Sequence, residues 1–391
     1  MREVSIIGVG MHKFGKFPQL LIDDLGKTAC TNALKDADIN RKKIEAVYCG
    51  NCLHELQPGQ RVAYKAGISG VPTFNVRNGC ATGSTAFWQA WHAVSTGTFD
   101  IVLAVGVESM TPTIKGVIPL GDTMLLPQLG VSMPSYFALL AMAHMQQYGT
   151  TLKHLAQVSV KNHKNGALNP DAQYQKELCI EEVRDSRVVA HPLTIYDCCP
   201  IGDGAAAAII CSTETAKKLS DRYIRVLTSS FSTTGYYGST SNPLISQNTR
   251  VCAQNAYKDA DVTPQNIDVL EVHDCFTMTE IMIYDGLGLC EAGQGKNLIE
   301  AGETEIGGKF PTNPSGGLLA KGHPLGATGI SQITEIVHQL REESDQRQVP
   351  GAKIGLTHNY GGLAASLMSD AVAGGVDFAN CCITIMSNER N

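Results

Sequence analysis

Apolar residues recur along this chain at two spacings, one typical of helices and one typical of buried strands. Helical spacing follows residues 85–94 and again 330–340, whereas residues 100–105 and 353–357 are short, mostly apolar runs. Because helical and strand patterns alternate, the sequence predicts an α/β fold in which mostly parallel sheets are covered by helices.

An internal repeat sets the predicted architecture. Residues 31–52 align with residues 254–275 without a gap, and each copy has the pattern of a helix, a turn and a buried strand. A second, shorter repeat pairs residues 81–83 with residues 327–329, and each copy precedes a predicted helix. Two unrelated amphipathic helices would not match over both helix and strand, so we predict two α/β halves related by a pseudo-twofold axis. The identical pairs of the first repeat are Asn32/Asn255, Ala33/Ala256, Lys35/Lys258, Asp36/Asp259, Ala37/Ala260, Asp38/Asp261, Ile44/Ile267 and Cys52/Cys275.

Extra length in the first half predicts an insertion. It contains helical patterns at 136–147 and 152–165, and residues 204–211 then have the pattern of a strand that returns the chain to the first half. We therefore predict an N-terminal half of residues 1–107 and 201–222, an inserted cap of residues 108–200, and a C-terminal half of residues 223–391.

Composition and charge argue against several classes of function. Charged residues make up 17% of the chain, and the net charge of -6 with a pI near 6.0 predicts no binding to nucleic acid or to an anionic membrane. No apolar run approaches the length of a membrane span. The 13 cysteines form no regular disulfide framework and no signal-peptide core is present, so we expect a cytoplasmic protein with reduced thiols and no bound metal.

Two turns before predicted helices carry the residues best suited to covalent chemistry. Cys80 precedes the helix at 85–94, and His323 lies in a glycine- and proline-rich turn before the helix at 330–340. Because equivalent turns of related halves meet near their axis, we expect Cys80 and His323 to face each other. A helix N-terminus and an imidazole both favour the nucleophilic thiolate. The alternative is an inert buried thiol with a structural histidine.

Two further segments place polar groups at strand ends. His273 and Cys275 follow a buried strand where the chain turns into a helix, and α/β folds collect active-site residues at such ends. A cysteine there could move protons, whereas the alternative is a polar strand end without chemistry. The glycine pair of the last segment would let the backbone approach a ligand, or would only form a tight turn. Its candidate substrate-binding residues are Asn359, Tyr360, Gly361 and Gly362.

Four segments together resemble the thiolases, specifically the sterol-carrier-protein-X type and its archaeal and bacterial relatives. They are Asn78-Gly-Cys-Ala-Thr-Gly, His273-Asp-Cys-Phe, Gly322-His-Pro and Asn359-Tyr-Gly-Gly. The resemblance extends over nearly the whole chain and implies the thiolase fold, a five-layer α-β-α-β-α body with an inserted loop domain. The late Cys-x-Gly motif of other thiolases has no cysteine here, and the resemblance assigns its proton-transfer role to Cys275.

The implied chemistry is CoA-dependent cleavage or formation of a 3-oxoacyl-CoA through a thioester on Cys80. Cys275 would protonate the departing acetyl-CoA enolate. His323 would polarise Cys80 and, with His273, stabilise the thioester oxyanion, while the amides of Cys80 and Gly362 resemble a second oxyanion hole. CoA would be a substrate, and no cofactor would be permanently bound.

The resemblance also implies substrates and partners. The acyl group is expected to be large, branched, aromatic or steroid-like, and the segment 111–128 of the cap is expected to shape its pocket. The expected partners are a second copy of the chain, in a homodimer or a dimer of dimers, and a small zinc-ribbon/OB-fold subunit.

Other interpretations stay open on the residues alone. A biosynthetic acetoacetyl-CoA thiolase (acetyl-CoA C-acetyltransferase) would use the same residues. A ketosynthase-like condensing enzyme could use His273, His323 and Asn359, although the His-Asp-Cys-Phe segment argues against it. An aldolase relative without a covalent step would not need Cys80, and a non-catalytic scaffold subunit would need neither Cys80 nor His323.

Overall fold

The computed structural model describes residues 1–54, 56–118, 128–234, 242–363 and 378–389. The strands are β1 (Val4–Gly15), β2 (Ala46–Gly50), β3 (Thr73–Val76), β4 (Ile101–Ser109), β5 (Val188–Ala190), β6 (Leu193–Thr194), β7 (Asp203–Ser212), β8 (Ile224–Thr233), β9 (Val269–Glu271), β10 (Ile354–Leu363) and β11 (Phe378–Ser387). The helices are α1 (Ile22–Asp36), α2 (Pro58–Lys65), α3 (Thr82–Ser95), α4 (Met133–Tyr148), α5 (Leu152–Ala167), α6 (Ile180–Arg184), α7 (Thr213–Leu219), α8 (Gln247–Ala260), α9 (Thr277–Gly286), α10 (Gly295–Glu300), α11 (Gly317–Ala320) and α12 (Thr328–Leu340).

In the described part of the chain, nine strands form one sheet in the order β3-β2-β4-β7-β1-β8-β11-β10-β9. The run β2-β4-β7-β1 and the run β9-β10-β11-β8 share one pattern of pairing, which is parallel, then antiparallel, then antiparallel. The two runs meet where Val4 and Ile6 of β1 pair with Val226 and Ile224 of β8. The predicted pseudo-twofold axis therefore passes between β1 and β8.

The internal repeat is confirmed residue by residue. Helices α1 and α8 are each followed by an aspartate with a left-handed backbone, Asp38 with φ 49° and Asp261 with φ 54°. A one-turn 3₁₀ helix comes next, Arg41–Lys43 in the first copy and Pro264–Asn266 in the second, and β2 or β9 follows it. The two copies therefore fold alike at the alignment that the sequence predicts.

Helices α3 and α12 lie between the two half-sheets. Of the 13 residues of α12, 12 are buried, as a helix in a central layer requires. One hydrophobic cluster joins Phe87 of α3 and Ile333 of α12 to Val102 of the first half-sheet and Met386 of the second. Helices α1 and α2 cover the outer face of the first half-sheet, and α8 and α9 cover that of the second. The layers run α-β-α-β-α, as the resemblance implies.

The prediction of mostly parallel sheets is wrong. Within the nine-stranded sheet only β2–β3, β2–β4 and β9–β10 pair parallel among the described residues. The other pairings are antiparallel, because β7 returns beside β4 and β11 returns beside β10 in the opposite direction. A run of apolar residues indicates a buried strand, but the strand's direction depends on whether its connection re-enters the sheet at the same end of the neighbouring strand or crosses to the other end.

The region predicted as an inserted cap contains α4, α5, α6 and the β5–β6 pair, and β7 then returns the chain between β4 and β1. Helices α4 and α5 match the two helical patterns of the sequence. The ring of Phe137 in α4 stacks on Phe276 with centroids 4.3 Å apart, and Asn165 of α5 donates to the Asn313 carbonyl at 3.1 Å. This region therefore packs on loops of the second half. The division into domains stays a prediction.

In the described ranges, no helix combines the length and the apolar character needed to cross a membrane.

Candidate active site

Cys80 lies in the turn between β3 and α3, just before the helix begins at Thr82. The turn is tight because Gly79 has φ 58°, a backbone conformation that glycine adopts without strain. The Thr82 hydroxyl accepts from the amide of Asn78 at 2.7 Å and donates to the Gly79 carbonyl at 2.6 Å. These bonds hold Cys80, which is partly exposed, on a fixed backbone at a helix N-terminus.

The end of β10 lies directly on the Cys80 turn. A Cβ at Gly361 would lie 2.4 Å from the amide nitrogen of Ala81 and 2.7 Å from that of Cys80. A Cβ at Gly79 would lie 3.0 Å from the amide nitrogen of Gly362. Only glycine permits this approach, which brings backbone of the two halves side by side. This contact is with protein backbone, and the predicted approach of the glycine pair to a ligand stays a prediction.

His323 lies in the turn between α11 and α12. Its Nδ1 is 2.8 Å from Oγ1 of Thr328, whose hydroxyl donates to the Pro324 carbonyl at 2.9 Å. Its Nε2 is buried and has no hydrogen-bond partner among the described residues. Burial lowers the pKa of His323 to about 3, so the ring is neutral near pH 7.

His273 follows the end of β9 and faces His323, with ring centroids 5.0 Å apart and planes at 86°. Its Nδ1 is 3.0 Å from Nδ2 of Asn359, and that same Nδ2 is 3.1 Å from Oε1 of Gln332. Burial lowers the pKa of His273 well below its ordinary value, and the neighbouring His323 and His358 act in the same direction. Both rings are therefore neutral near pH 7.

Cys80, His273 and His323 form the centre of the site. The Cys80 sulfur and one nitrogen of each ring lie within 4.8 Å of one another. The two halves therefore bring Cys80 and His323 together as expected, and His273 belongs to the same cluster. The catalytic roles of these residues stay predictions. Such a set could also ligate a metal ion, and the expectation of no metal likewise stays a prediction.

The surroundings of Cys80 favour its protonated form. Burial raises its pKa to about 12, and the nearby Cys52 thiol acts in the same direction. Burial has this effect because desolvation disfavours the charged form, and the expectation that the helix N-terminus and the imidazole favour the thiolate stays a prediction. Since His323 is also neutral, its Nε2 would have to accept the thiol proton as Cys80 attacks.

Cys275 is buried beside the same centre. Burial raises the pKa of its thiol well above the usual value and Cys80 acts in the same direction, whereas the Thr279 and Tyr360 hydroxyls lower it. Tyr360 is buried as well, with its ring centroid 4.6 Å from that of His273. Cys275 thus has a proton to give, but the substrate-binding roles predicted for Tyr360 and Asn359 remain untested.

Sequence reasoning missed two cysteines near this centre. The Cys199 amide donates to the Cys275 carbonyl at 2.9 Å. Burial raises the pKa of the Cys199 thiol well above its usual value, and the neighbouring Cys275 and Cys80 act in the same direction. The Cys52 sulfur is 3.3 Å from the carbonyl oxygen of Gly79. The repeat could have indicated Cys52, since it pairs with Cys275 there, but no pattern singles out Cys199.

Asp274 holds the strand end of His273 to the turn of His323. Its carboxylate accepts from the amides of Leu318 at 2.7 Å and Leu319 at 3.3 Å, at the start of α11. Burial raises the pKa of Asp274 to about 8, and the neighbouring Glu280 acts in the same direction. Because α11 leads directly into the His323 turn, these contacts fix the two histidine-bearing segments relative to each other.

Comparison with known proteins matches both halves of the chain. Residues 4–214 match the family model for the thiolase N-terminal domain, and residues 230–372 match the model described as thiolase C-terminal domain-like. The chain is 41% identical over 372 residues to an acetyl-CoA acetyltransferase of Methanothermobacter thermautotrophicus, covering 93% of this chain and 97% of that protein. It is 39% identical over 383 residues to sterol carrier protein 2 of Bos taurus, covering 92% of this chain and 70% of that protein.

Among solved structures, one described as an Ltp2-ChsH2(DUF35) aldolase superimposes with a TM-score of 0.83 at 25% identity. The match covers 100% of this chain and 98% of that chain.

Proposed function

This chain belongs to the thiolase family of acyltransferases, and from that premise we propose that it cleaves or forms a 3-oxoacyl-CoA through an acyl thioester on Cys80. The observation that carries the proposal is the Cys80 sulfur beside a ring nitrogen of His273 and of His323, all within 4.8 Å of one another. Covalent acyl transfer needs a thiol beside a base that is free to accept its proton, and His323 Nε2 is such a base.

In the cleavage direction, the Cys80 sulfur attacks the 3-oxo carbon while His323 Nε2 takes the thiol proton. The alkoxide that forms lies within reach of the Cys80 and Gly362 amides, and the enolate oxygen of the departing acetyl-CoA faces His273. Breaking the bond between C2 and C3 leaves the acyl group on Cys80, and the Cys275 thiol gives its proton to C2.

The second half of the reaction returns Cys80, Cys275 and His323 to their starting protonation states. The thiol of free CoA gives its proton to the Cys275 thiolate, and its sulfur attacks the acyl carbonyl. Cys80 leaves as a thiolate and takes back the proton that His323 holds. The synthetic direction reverses these steps, so CoA is a substrate and no permanently bound cofactor is required.

The acyl group is proposed to be large, branched, aromatic or steroid-like. Likeness to sterol carrier protein 2 over 92% of the chain supports this proposal. A biosynthetic acetyl-CoA C-acetyltransferase is the second candidate, supported by the 41% identity to an acetyl-CoA acetyltransferase. Residues 119–127, in the segment expected to shape the acyl pocket, lie outside the described residues.

An aldolase is a third candidate, favoured by the superposition on the Ltp2-ChsH2(DUF35) structure. Such an enzyme would break a carbon–carbon bond without passing an acyl group to CoA. The pairing of Cys80 with a free imidazole nitrogen argues for the covalent route instead.

The chain is proposed to assemble as a homodimer or a dimer of dimers in the cytoplasm. Among the described strands β3 lies at an edge of the sheet, and the exposed apolar side chains Leu56, Tyr64 and Phe74 belong to this strand or to segments close to it in sequence. An open edge of this kind invites strand pairing, and β3 of a second copy is a self-complementary partner. The likeness to the Ltp2-ChsH2(DUF35) structure supports the further proposal of a small zinc-ribbon/OB-fold subunit.

The test is incubation with a panel of straight, branched, aromatic and steroid 3-oxoacyl-CoAs plus free CoA, with and without candidate partners. Mass spectrometry should detect acetyl-CoA and an acyl-CoA shortened by two carbons, only when CoA is present. The matching 3-hydroxyacyl-CoAs are tested without CoA as well, and their cleavage to a carbonyl compound and acetyl-CoA would indicate the aldolase instead. Failure of every substrate under all conditions would reject the thiolase proposal.

A further inference from the structure

The position of the proton on His323 follows from Thr328. The Thr328 hydroxyl lies 2.9 Å from the Pro324 carbonyl oxygen, which can only accept a hydrogen bond. A hydroxyl has one proton, and with that proton on the bond to Pro324 the Thr328 oxygen is the acceptor from His323 Nδ1 at 2.8 Å. His323 therefore carries its proton on Nδ1, and its buried Nε2 has a free lone pair.

The position of the proton on His273 follows from two side-chain amides, those of Asn359 and Gln332, because Gln332 in turn donates to a backbone carbonyl. Gln332 Nε2 donates to the His358 carbonyl at 3.2 Å, which leaves Gln332 Oε1 as the acceptor that faces Asn359. Asn359 Nδ2 must then be the donor, at 3.1 Å to Gln332 Oε1 and at 3.0 Å to His273 Nδ1. Since His273 Nδ1 accepts, the neutral ring carries its proton on Nε2.

The partners of each ring are protected from solvent. Thr328, Gln332 and Asn359 are each fully buried. Water therefore does not compete for their hydrogen bonds, and an amide that turned over would leave buried groups of like polarity facing each other. The two ring centroids are only 5.0 Å apart, so the rings share their surroundings. They differ in the side chains that hydrogen-bond to Nδ1, which are Thr328 for His323 and Asn359 for His273.

We propose that Thr328 and Gln332 are positioning residues that hold the two histidines in opposite tautomers. His323 presents a lone pair that accepts the Cys80 proton, and His273 presents an N–H that donates to the substrate oxyanion. The catalytic reading of the two tautomers rests on the proposed thiolase reaction, whereas the tautomers themselves follow from the hydrogen bonds.

The tautomers are measured in the wild-type protein labelled with ¹⁵N-histidine, by long-range ¹H–¹⁵N correlation near pH 7. The variants His273→Asn and His323→Asn assign the two rings by loss of signal. The expected result is a protonated Nδ1 in His323 and a protonated Nε2 in His273. The same tautomer in both rings would overturn the proposal, and this measurement needs no variant of Thr328 or Gln332 to fold.

The role of Thr328 is tested with a matched pair of variants. Thr328→Val removes the hydroxyl at nearly constant volume, and Thr328→Ser keeps it. Thr328→Val is expected to lose the single Nδ1-protonated signal of His323 and to lower kcat about 10²-fold with little change in KM, whereas Thr328→Ser keeps the wild-type spectrum. An unchanged His323 spectrum in folded Thr328→Val would contradict the assignment.

The role of Gln332 is tested against another glutamine of α12. Gln332→Met removes both amide bonds, so Asn359 can turn over and His273 is expected to show a mixture of tautomers with a similar loss of kcat. Gln339→Met, equally buried but bonded to Glu335 and the Arg347 carbonyl, should lower stability and leave both rings as in the wild type. If Gln339→Met moves the His273 signals as much as Gln332→Met, the effect is structural and the proposal fails.

These measurements separate the inference from the proposed function. Opposite tautomers in a protein that turns over no 3-oxoacyl-CoA would reject the thiolase reaction alone. Turnover in a protein whose two rings share one tautomer would reject the positioning roles alone.

Discussion

The carboxylate of Glu108, at the end of β4, accepts a hydrogen bond from the amide of Gly326 at 3.1 Å. Gly326 lies in the turn of the other half that carries His323. The same Glu108 oxygen accepts from the Cys52 amide at 2.8 Å, and its second oxygen accepts from the Asn51 side chain at 3.0 Å. A single buried carboxylate therefore ties the His323 turn to the first half, beside the loop that contains Cys52.

Glu108→Gln is expected to destabilise the protein and slow catalysis. The new glutamine side chain turns an NH2 group toward N–H groups that donate to the carboxylate, so at least one buried donor loses its acceptor, which costs about 1–3 kcal/mol. Denaturant unfolding and kcat measure the two effects. Glu214→Gln, which breaks the exposed pair with Lys218, is the control and should change stability by less than about 0.5 kcal/mol. If the two variants change the free energy of unfolding and kcat equally, the contact between Glu108 and Gly326 contributes nothing to stability or catalysis.

The repeat explains how much of this site the sequence could predict. Aligning the halves was sufficient to place Cys80 and His323 opposite each other, because equivalent turns of related halves meet at their axis. The same alignment could not give strand direction or the buried polar contacts. The bonds of Asn359 to His273 and of Gly326 to Glu108 join residues far apart in the chain, and no periodicity encodes such pairs.

Cys80→Ala is expected to abolish turnover instead of only raising KM, because it removes the group that holds the acyl intermediate. In the wild type, an acyl-CoA donor should add one acyl mass to the peptide that contains Cys80. Cys52→Ala, which changes a thiol in contact with the same turn, should still acquire the acyl mass. An adduct on Cys275 with Cys80 unmodified would overturn the assignment.

Gly361→Ala is expected to lower both stability and activity. The new Cβ would lie 2.7 Å from the Cys80 amide nitrogen, so the nucleophile turn must shift. Displacing one oxyanion donor typically lowers kcat by about 10²–10³-fold. Gly362→Ala is the comparison, because its Cβ would meet the Ala379 side chain at 3.1 Å instead and its φ of 73° adds backbone strain. If both variants lose stability but Gly361→Ala keeps normal kcat, the contact does not position Cys80.

His358→Gln is expected to make the protein less sensitive to acid. Burial lowers the pKa of His358 to about 3. Between about pH 6.5 and pH 3 this histidine therefore binds a proton in the unfolded chain but stays neutral in the folded protein. This group therefore removes stability as the pH falls from about 6.5 toward 3. Between pH 7 and pH 5 the variant should lose about 2 kcal/mol less free energy of unfolding than the wild type. Parallel pH profiles for the two proteins would mean that His358 takes up a proton in the folded state.

Cys275→Ala is expected to lose carbon–carbon cleavage while Cys80 is still acylated by a simple acyl-CoA. The buried Cys275 thiol keeps its proton in the resting site, and a positioned acid typically contributes about 10²–10⁴ in rate. Single-turnover acylation and steady-state cleavage, measured separately, distinguish the two steps. Cys199→Ala is the matched control, because Cys199 is hydrogen-bonded through its amide to the Cys275 carbonyl at 2.9 Å and should retain cleavage without its thiol. Normal cleavage by Cys275→Ala together with a loss in Cys199→Ala would transfer the acid role to Cys199. Normal cleavage by both variants would leave Tyr360 and His358 as the next residues to test.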